Sequence, residues 1–256
     1  AVTDHDTVSG LDEAEAAGRE YGVEIIRGCE LGVQGQYGEI HLLGLWLPRH
    51  SAPLDAELAR LRGHREERNL KILDKLRSIG INISYQEVLD EAGGESVGRP
   101  HIARVLQKRG IVSGFAQAFE LYLGYYGSAY VPRTLLSPEE GVSLMADLGA
   151  VVSFAHPMLI RCPPSWFDEI IPRLKEAGLG AIEAYHSEHS ARDERFCVEL
   201  AARYGLGLSG GSDYHGMAKP GVELGRGKGG LRVTAALLDA LKARRKSPVD
   251  GASEVL

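Results

Sequence analysis

At 256 residues the chain is longer than an average domain. Its 44% hydrophobic and 25% charged residues are the composition of a globular core, not of a disordered or fibrous chain. Lys and Arg number 29 against 35 Asp and Glu, so a net charge of −6 excludes a general field for coating nucleic acid or an anionic membrane, and a phosphate-bearing partner needs a local site. The longest apolar runs, near 40–47 and 150–155, fall far short of the roughly 20 residues of a membrane-spanning helix, and Cys29, Cys162 and Cys197 form no CxxC pair, which suits a reducing, cytoplasmic setting.

The chain opens without Met on a strand end, Ala1 to Thr3, followed by Asp4-His5-Asp6, and reads like the interior of a longer protein. A helix over Leu11 to Tyr21 follows the start signal Ser9-Gly10, and a β-branched run from Gly22 to Arg27 predicts a strand leading into Gly28-Cys29-Glu30. The next strand, Ile40 to Leu47, carries His41 near its beginning. From 54 to 126 the pattern is helical throughout: Leu54 to Ser78, Tyr85 to Ala92, Pro100 to Arg109 and Ala116 to Leu123. Beyond it, Ser137 caps a helix over Pro138 to Leu148, and the strand Ala150 to Ala155 leads into His156-Pro157. A helix over Phe167 to Ala177 stops before Gly178, and the strand Ala181 to Tyr185 leads into His186. A helix over Arg192 to Tyr204 stops before Gly205, the strand Leu206 to Ser209 leads into Ser212-Asp213-Tyr214-His215, and the tail after Lys242 has the composition of a frayed end.

Strands alternating with helices predict an α/β fold with a parallel sheet, formed by 1–53 and 127–256 and interrupted by a helical insertion at 54–126. Residues 54–109 hold 11 Lys or Arg and 9 Asp or Glu, a local +2 against −8 for the rest, consistent with a basic cap over an acidic site or with an ordinary solvated helix surface.

In a parallel α/β barrel the strand ends converge on one face, and most of the ionisable candidates follow predicted strands. His, Asp and Glu together, without Cys, favour Mn, Fe or Zn in a site that activates water and binds phosphate oxygens. Taken singly, each residue has an ordinary reading: Asp4-His5-Asp6 as a capping turn, His41 as a structural histidine, Cys29 as small packing. Asp213 and His215, two apart in an extended segment, would face the same way. His101 opens a helix after Gly98-Arg99-Pro100 and either caps it or meets an anion; Arg133 either clamps phosphate or forms a surface ion pair; His186 and His189 flank a loop that suits substrate contact.

These motifs together resemble the polymerase and histidinol phosphatase (PHP) family of metal-dependent phosphoesterases: Thr3-Asp4-His5-Asp6-Thr7, Gly28-Cys29-Glu30, His41-Leu42-Leu43-Gly44, Gly98-Arg99-Pro100-His101, Ser153-Phe154-Ala155-His156-Pro157 and Gly211-Ser212-Asp213-Tyr214-His215. The insertion with its Gly-Arg-Pro-His start resembles the branch of nucleoside 3′,5′-bisphosphate phosphatases and 5′-to-3′ exonucleases of short RNA. The resemblance implies a distorted (β/α)7 barrel and up to three divalent ions, Mn2+ first with Fe2+ or Zn2+ as alternatives, held by His5, Glu30, His41, His156, Asp213 and His215. It also implies catalytic roles for Asp6, as an orienting group, and for His215, and substrate contacts through Arg99, His101, Arg133 and His186. The substrate would be a nucleotide or short oligonucleotide, with neither stable duplex nucleic acid nor a membrane as partner. The family's opening His-x-His strand is not in this sequence. The resemblance therefore implies that a βα unit of about 30 residues precedes Ala1, and that a chain truly starting at Ala1 would bind metal weakly. Metal-assisted C–N hydrolysis and a non-catalytic barrel with a degenerate site are the competing expectations.

Overall fold

The computed structural model describes residues 1–93, 97–216 and 219–245. The part of the expected tail from 246 onward lies outside them. Two compact units are present, one formed by Ala1–Asp55 and Leu135–Leu256, the other by Ala56–Thr134.

The first unit is α/β. Its five strands, β1 (Gly28–Gly35), β2 (Gly38–Leu45), β3 (Val151–Phe154), β4 (Leu179–His186) and β5 (Gly207–Gly211), follow one another across a single sheet in chain order. The sheet is mixed: β2 is antiparallel to β1 and β3, whereas β3, β4 and β5 are parallel. The parallel sheet expected from the βα rhythm is thus broken by one tight hairpin. Around it lie α1 (Leu11–Tyr21), α6 (Pro138–Ala146), α7 (Ser165–Ala177), α8 (Ala191–Tyr204) and α9 (Ala235–Lys242). Ser137 and Ser190 complete capping boxes at α6 and α8, and Gly22, Gly178 and Gly205 end α1, α7 and α8 in the left-handed conformation that glycine adopts without steric cost.

The expected strand Gly22 to Arg27 is not one. Val23 is 57% exposed, and the segment contributes only an isolated parallel bridge at Arg27 to Val2, because a β-branched run becomes a strand only where a neighbour offers its backbone. The neighbour, β2, lies alongside Gly28–Gly35 instead.

The second unit is helical: most of α2 (Ala52–Ser78), α3 (Tyr85–Ala92), α4 (Arg99–Lys108) and α5 (Phe115–Ala118), which runs directly into a π-helical turn over Phe119–Leu123. Ile72, Leu76, Ile83, Val88, Ile102, Leu106, Leu123 and their neighbours form its core. It extends past residue 126 because Arg68 and Lys75 of α2 donate to the carbonyls of Val131 and Tyr130, tying the segment after the π-turn onto the helices. Among the described residues no helix is long and apolar enough to cross a membrane.

Candidate metal centre

Glu30 is the third residue of β1. Alternation along the strand puts it on the same sheet face as Gly32, whose cross-strand partner is His41 of β2, so acid and imidazole meet diagonally. Residues 4–6 run beside β1 as a short parallel ribbon: the Asp6 N–H donates to the Glu30 carbonyl (2.9 Å) and the Glu30 N–H to the Asp4 carbonyl (3.1 Å). Gly28 permits this approach, since a Cβ there would stand 2.6 Å from Thr3 Cγ2. The ribbon delivers His5, and β3 delivers His156 at its end.

The outcome is one buried carboxylate among three imidazoles. Glu30 Oε1 lies 2.7 Å from His41 Nδ1 and 3.0 Å from His156 Nε2; Glu30 Oε2 lies 3.4 Å from His5 Nε2. Burial alone would raise the Glu30 pKa, but hydrogen bonds from His156 and His41 and the nearby His5 outweigh it, and the carboxyl is held well below the usual range. For His41 burial favours the neutral ring. Its hydrogen bond to Glu30 and the nearby carboxylate of Glu39, whose Oε1 is 3.6 Å from Nε2, override that and raise its pKa to about 10.

A second carboxylate lies beyond this group. Asp213 Oδ2 accepts from Lys219 Nζ (2.6 Å) and His186 Nε2 (3.2 Å), and Oδ1 faces His215 Nδ1 at 3.2 Å. Burial raises the Asp213 pKa, while His186 and Lys219 more than reverse that, so it too stays ionised. A chain of ring contacts joins the two acids: His5 to His41 at 4.7 Å, His41 to His156 at 5.1 Å, His156 to His186 at 5.4 Å and His5 to His215 at 5.7 Å. The structure therefore brings together His5, Glu30, His41, His156, His186, Asp213 and His215.

Several placements differ from the sequence expectation. Glu30 sits within a strand and not after one, whereas His41 lies within its strand as expected. Asp213 has φ +51°, so it and His215 converge through a turn and not through extended alternation. Asp6 is buried, with φ +53°, and its Oδ1 accepts the Gly32 N–H at 3.0 Å, an orienting bond and not a capping one. The His186 side chain is fully buried, with Nδ1 accepting the Glu188 N–H (3.1 Å); its proton is therefore on Nε2, aimed at Asp213. In the helical unit, His101 is buried and its Nδ1 accepts the Gly98 N–H at 3.1 Å, capping α4. Arg99 donates to the Leu123 carbonyl (3.0 Å) and lies 5.6 Å from the centre of the Phe119 ring, and Arg133 is half-buried after the aromatic segment. Cys29 is packed, its thiol pushed up to about 12 by burial.

Two further residues enter the site. Glu183 on β4 is buried, accepts the His156 N–H (2.7 Å), and has a carboxyl raised to about 7 by burial, only partly offset by His156. Lys219 links Asp213 to Glu188, 3.3 Å away. A lone acid inside the apolar run of β4 was the available signal for Glu183; nothing local marks Lys219.

The donor set fits a divalent cation. His5, Glu30 and His41 offer ligand atoms within 4.8 Å of one another, and the mixture of imidazole and carboxylate without thiolate suits a borderline or hard metal. Three of the four non-glycine residues at positive φ among the described residues are Asp6, His156 and Asp213. Such conformations cost about 1–3 kcal/mol each and persist where surrounding structure enforces them, characteristically at functional sites.

No protein-family model matches the chain. It is 33% identical over 215 residues to a 5′-3′ exoribonuclease of Haemophilus influenzae, covering 84% of this chain and 78% of the relative. It is 29% identical over 251 residues to a 3′,5′-nucleoside bisphosphate phosphatase of Chromobacterium violaceum, covering 98% and 88%. Among solved structures, a protein from Bifidobacterium adolescentis described as a metal-dependent phosphoesterase superposes with TM-score 0.82 at 27% identity, over 96% of this chain and 85% of that one. A Chromobacterium violaceum protein described as an amidohydrolase, with bound sulfate and no metal, gives the same TM-score at 28% identity, over 97% and 87%.

Proposed function

The chain belongs to the polymerase and histidinol phosphatase family of metal-dependent phosphoesterases, and on that premise we propose that it hydrolyses nucleotide phosphate esters, removing the 3′-phosphate of nucleoside 3′,5′-bisphosphates or releasing nucleotides from the 5′ end of short RNA. The observation that carries this reading is the Glu30 carboxylate, buried and ionised among His5, His41 and His156, beside a second ionised acid at Asp213. The same reading takes the five-stranded sheet as part of a distorted (β/α)7 barrel and places the protein in the cytoplasm.

His5, Glu30, His41 and His156, with Asp213 and His215, would hold up to three divalent ions, manganese first and iron(II) or zinc as alternatives. Bound there, such ions supply an activated water and offset charge on the phosphate oxygens. The remaining work belongs to side chains. Asp6 fixes the ribbon that carries His5 through its bond to the Gly32 N–H. Glu183 holds the His156 backbone in its left-handed conformation. His186 orients Asp213, and His215, whose side chain is 37% exposed, is the group of the cluster placed to meet the leaving oxygen. We assign Arg99 and Arg133 to the phosphate that is not cleaved, because a planar guanidinium pairs with two phosphate oxygens at once; His101 acts through its cap on α4.

The test is phosphate release from adenosine 3′,5′-bisphosphate, and mononucleotide release from a 5′-phosphorylated tetraribonucleotide, by the native full-length protein with Mn2+. Turnover of one or both is expected, with KM raised in Arg99→Ala and Arg133→Ala. No product from either substrate with Mn2+, Fe2+ or Zn2+ would overturn the proposal. C–N hydrolysis is the second reading, favoured by the description of the Chromobacterium violaceum structure as an amidohydrolase; the sulfate bound in that structure is, like phosphate, a tetrahedral oxyanion.

A further inference from the structure

Six of the chain's 17 aromatic residues (10 Tyr, 5 Phe, 2 Trp) fall within the 16 positions from Phe115 to Tyr130. Part of this concentration is core: Phe119 and Tyr122 pack against the buried cluster of the helical unit. Tyr125 and Tyr126 do not. They are 71% and 94% exposed, stand edge to face with ring centres 4.9 Å apart, and Tyr125 also contacts Tyr130 at 5.3 Å. Folding pays to exclude large aromatic faces from water, so two adjacent tyrosines left this open call for an occupant.

The loop that presents them is rigidly built. It follows the π-helical turn over Phe119–Leu123, a local irregularity found frequently at functional sites. Gly127 lies against the preceding turn so closely that a Cβ would stand 2.4 Å from the Tyr122 carbonyl carbon, and the N–H groups of Ser128 and Ala129 bond to the carbonyls of Leu121 and Tyr122. Three cationic side chains hold the loop by its backbone: Arg99 at the Leu123 carbonyl (3.0 Å), Lys75 at the Tyr130 carbonyl (2.6 Å) and Arg68 at the Val131 carbonyl (2.8 Å). Between Phe115 and Arg133 the segment itself carries one acid, Glu120, and one base, Arg133, so the cations that border it toward solvent are the exposed Lys75 and the half-buried Arg99, Arg68 being buried against the Val131 carbonyl.

We infer that Tyr125 and Tyr126 form a stacking platform for the bases of a single-stranded oligonucleotide. Exposed aromatic rings on a fixed loop bordered by cations are what single-strand binding requires: π-faces accept any base, and the cations favour the backbone charge. The inference rests on the reading of nucleotide phosphates as substrate and narrows it, because a mononucleotide has no further bases to stack.

Fluorescence anisotropy with a 3′-labelled, 5′-phosphorylated hexaribonucleotide, in chelator so that nothing is cleaved, decides the matter on the full-length protein. Tyr125→Ala/Tyr126→Ala should weaken binding about tenfold or more, as expected from base–aromatic stacking measured by alanine substitution, while Tyr125→Phe/Tyr126→Phe keeps it within about twofold. With Mn2+, kcat/KM for adenosine 3′,5′-bisphosphate should be the same in all three proteins. Equal RNA affinity of the alanine variant and the parent, at matched melting temperature, would overturn the platform, as would absence of RNA binding by the parent. Loss of turnover in the parent with aromatic-dependent binding intact would count against the proposed hydrolase and leave the platform standing.

Discussion

The sheet unit and the helical unit differ in the buried polar groups they hold. In the helical unit the buried polar side chains Arg68, Asn69 and His101 serve the backbone: Arg68 and Asn69 donate to the carbonyls of Val131 and Val97, and His101 caps α4. In the sheet unit Glu30 and His186 are buried against ionisable side chains, Glu30 among His5, His41 and His156 and His186 against Asp213. Asp6 and Glu183 accept the backbone N–H groups of Gly32 and His156 beside them, and the four non-glycine residues at positive φ among the described residues lie there. Polar groups that satisfy a helix end stabilise a fold. Ionised acids desolvated beside imidazoles, on strained backbone, cost stability and are retained where chemistry needs them.

Substitutions sharpen this contrast. The largest effect is expected from Glu30→Gln, which removes the charge that three imidazoles share. Phosphate release and bound metal should both fall by more than about 100-fold, beyond the 10–100-fold typical of residues that only support a ligand. Elemental analysis alongside the phosphatase assay checks this; a fully active variant would dissolve the distinction between the two units. Glu183→Gln should fall in the supporting range, roughly 10–100-fold, with metal retained more fully than in Glu30→Gln. An unchanged rate would show that the bond to the His156 N–H is merely structural.

On the helical side, Ser84→Ala breaks the capping box of α3, in which the Ser84 hydroxyl accepts from the Glu87 N–H and the Glu87 carboxylate accepts from the Ser84 N–H. It should lower stability by about 1 kcal/mol in urea unfolding and leave metal content unchanged. The smallest expected difference is in thiol chemistry. Burial raises Cys29 and Cys197 to about 12, whereas Cys162 is half-buried with a smaller upward displacement, so mass spectrometry after brief alkylation at neutral pH should find Cys162 modified first.

Legibility in the sequence divides along physical lines. Helices Leu11–Tyr21 and Tyr85–Ala92 end where their periodicity and glycine stops indicate, because caps and 3.6-residue spacing are local. Local pattern puts a strand at Gly22–Arg27 whereas β1 begins at Gly28, because strand formation depends on a partner that local pattern does not specify. The six candidate ligands are those the family resemblance implies, each having an ordinary reading when taken alone, and the structure brings their side chains near one another. Glu183 stands out as an acid in an apolar strand, but its partner, the His156 N–H, is 27 residues away, and Lys219, which donates to Asp213, has no local mark. The buried state of His186 follows from β4 running through to that residue, one step past the expected end at Tyr185.

The most direct test is a metal titration of chelator-treated full-length protein, following phosphate release from adenosine 3′,5′-bisphosphate in the parent and in His156→Gln. No release is expected without metal, with recovery on adding Mn2+ in the parent, and recovery in His156→Gln that is weak or needs far more metal. Equal release before and after chelation, or identical titrations for the two proteins, would contradict this expectation.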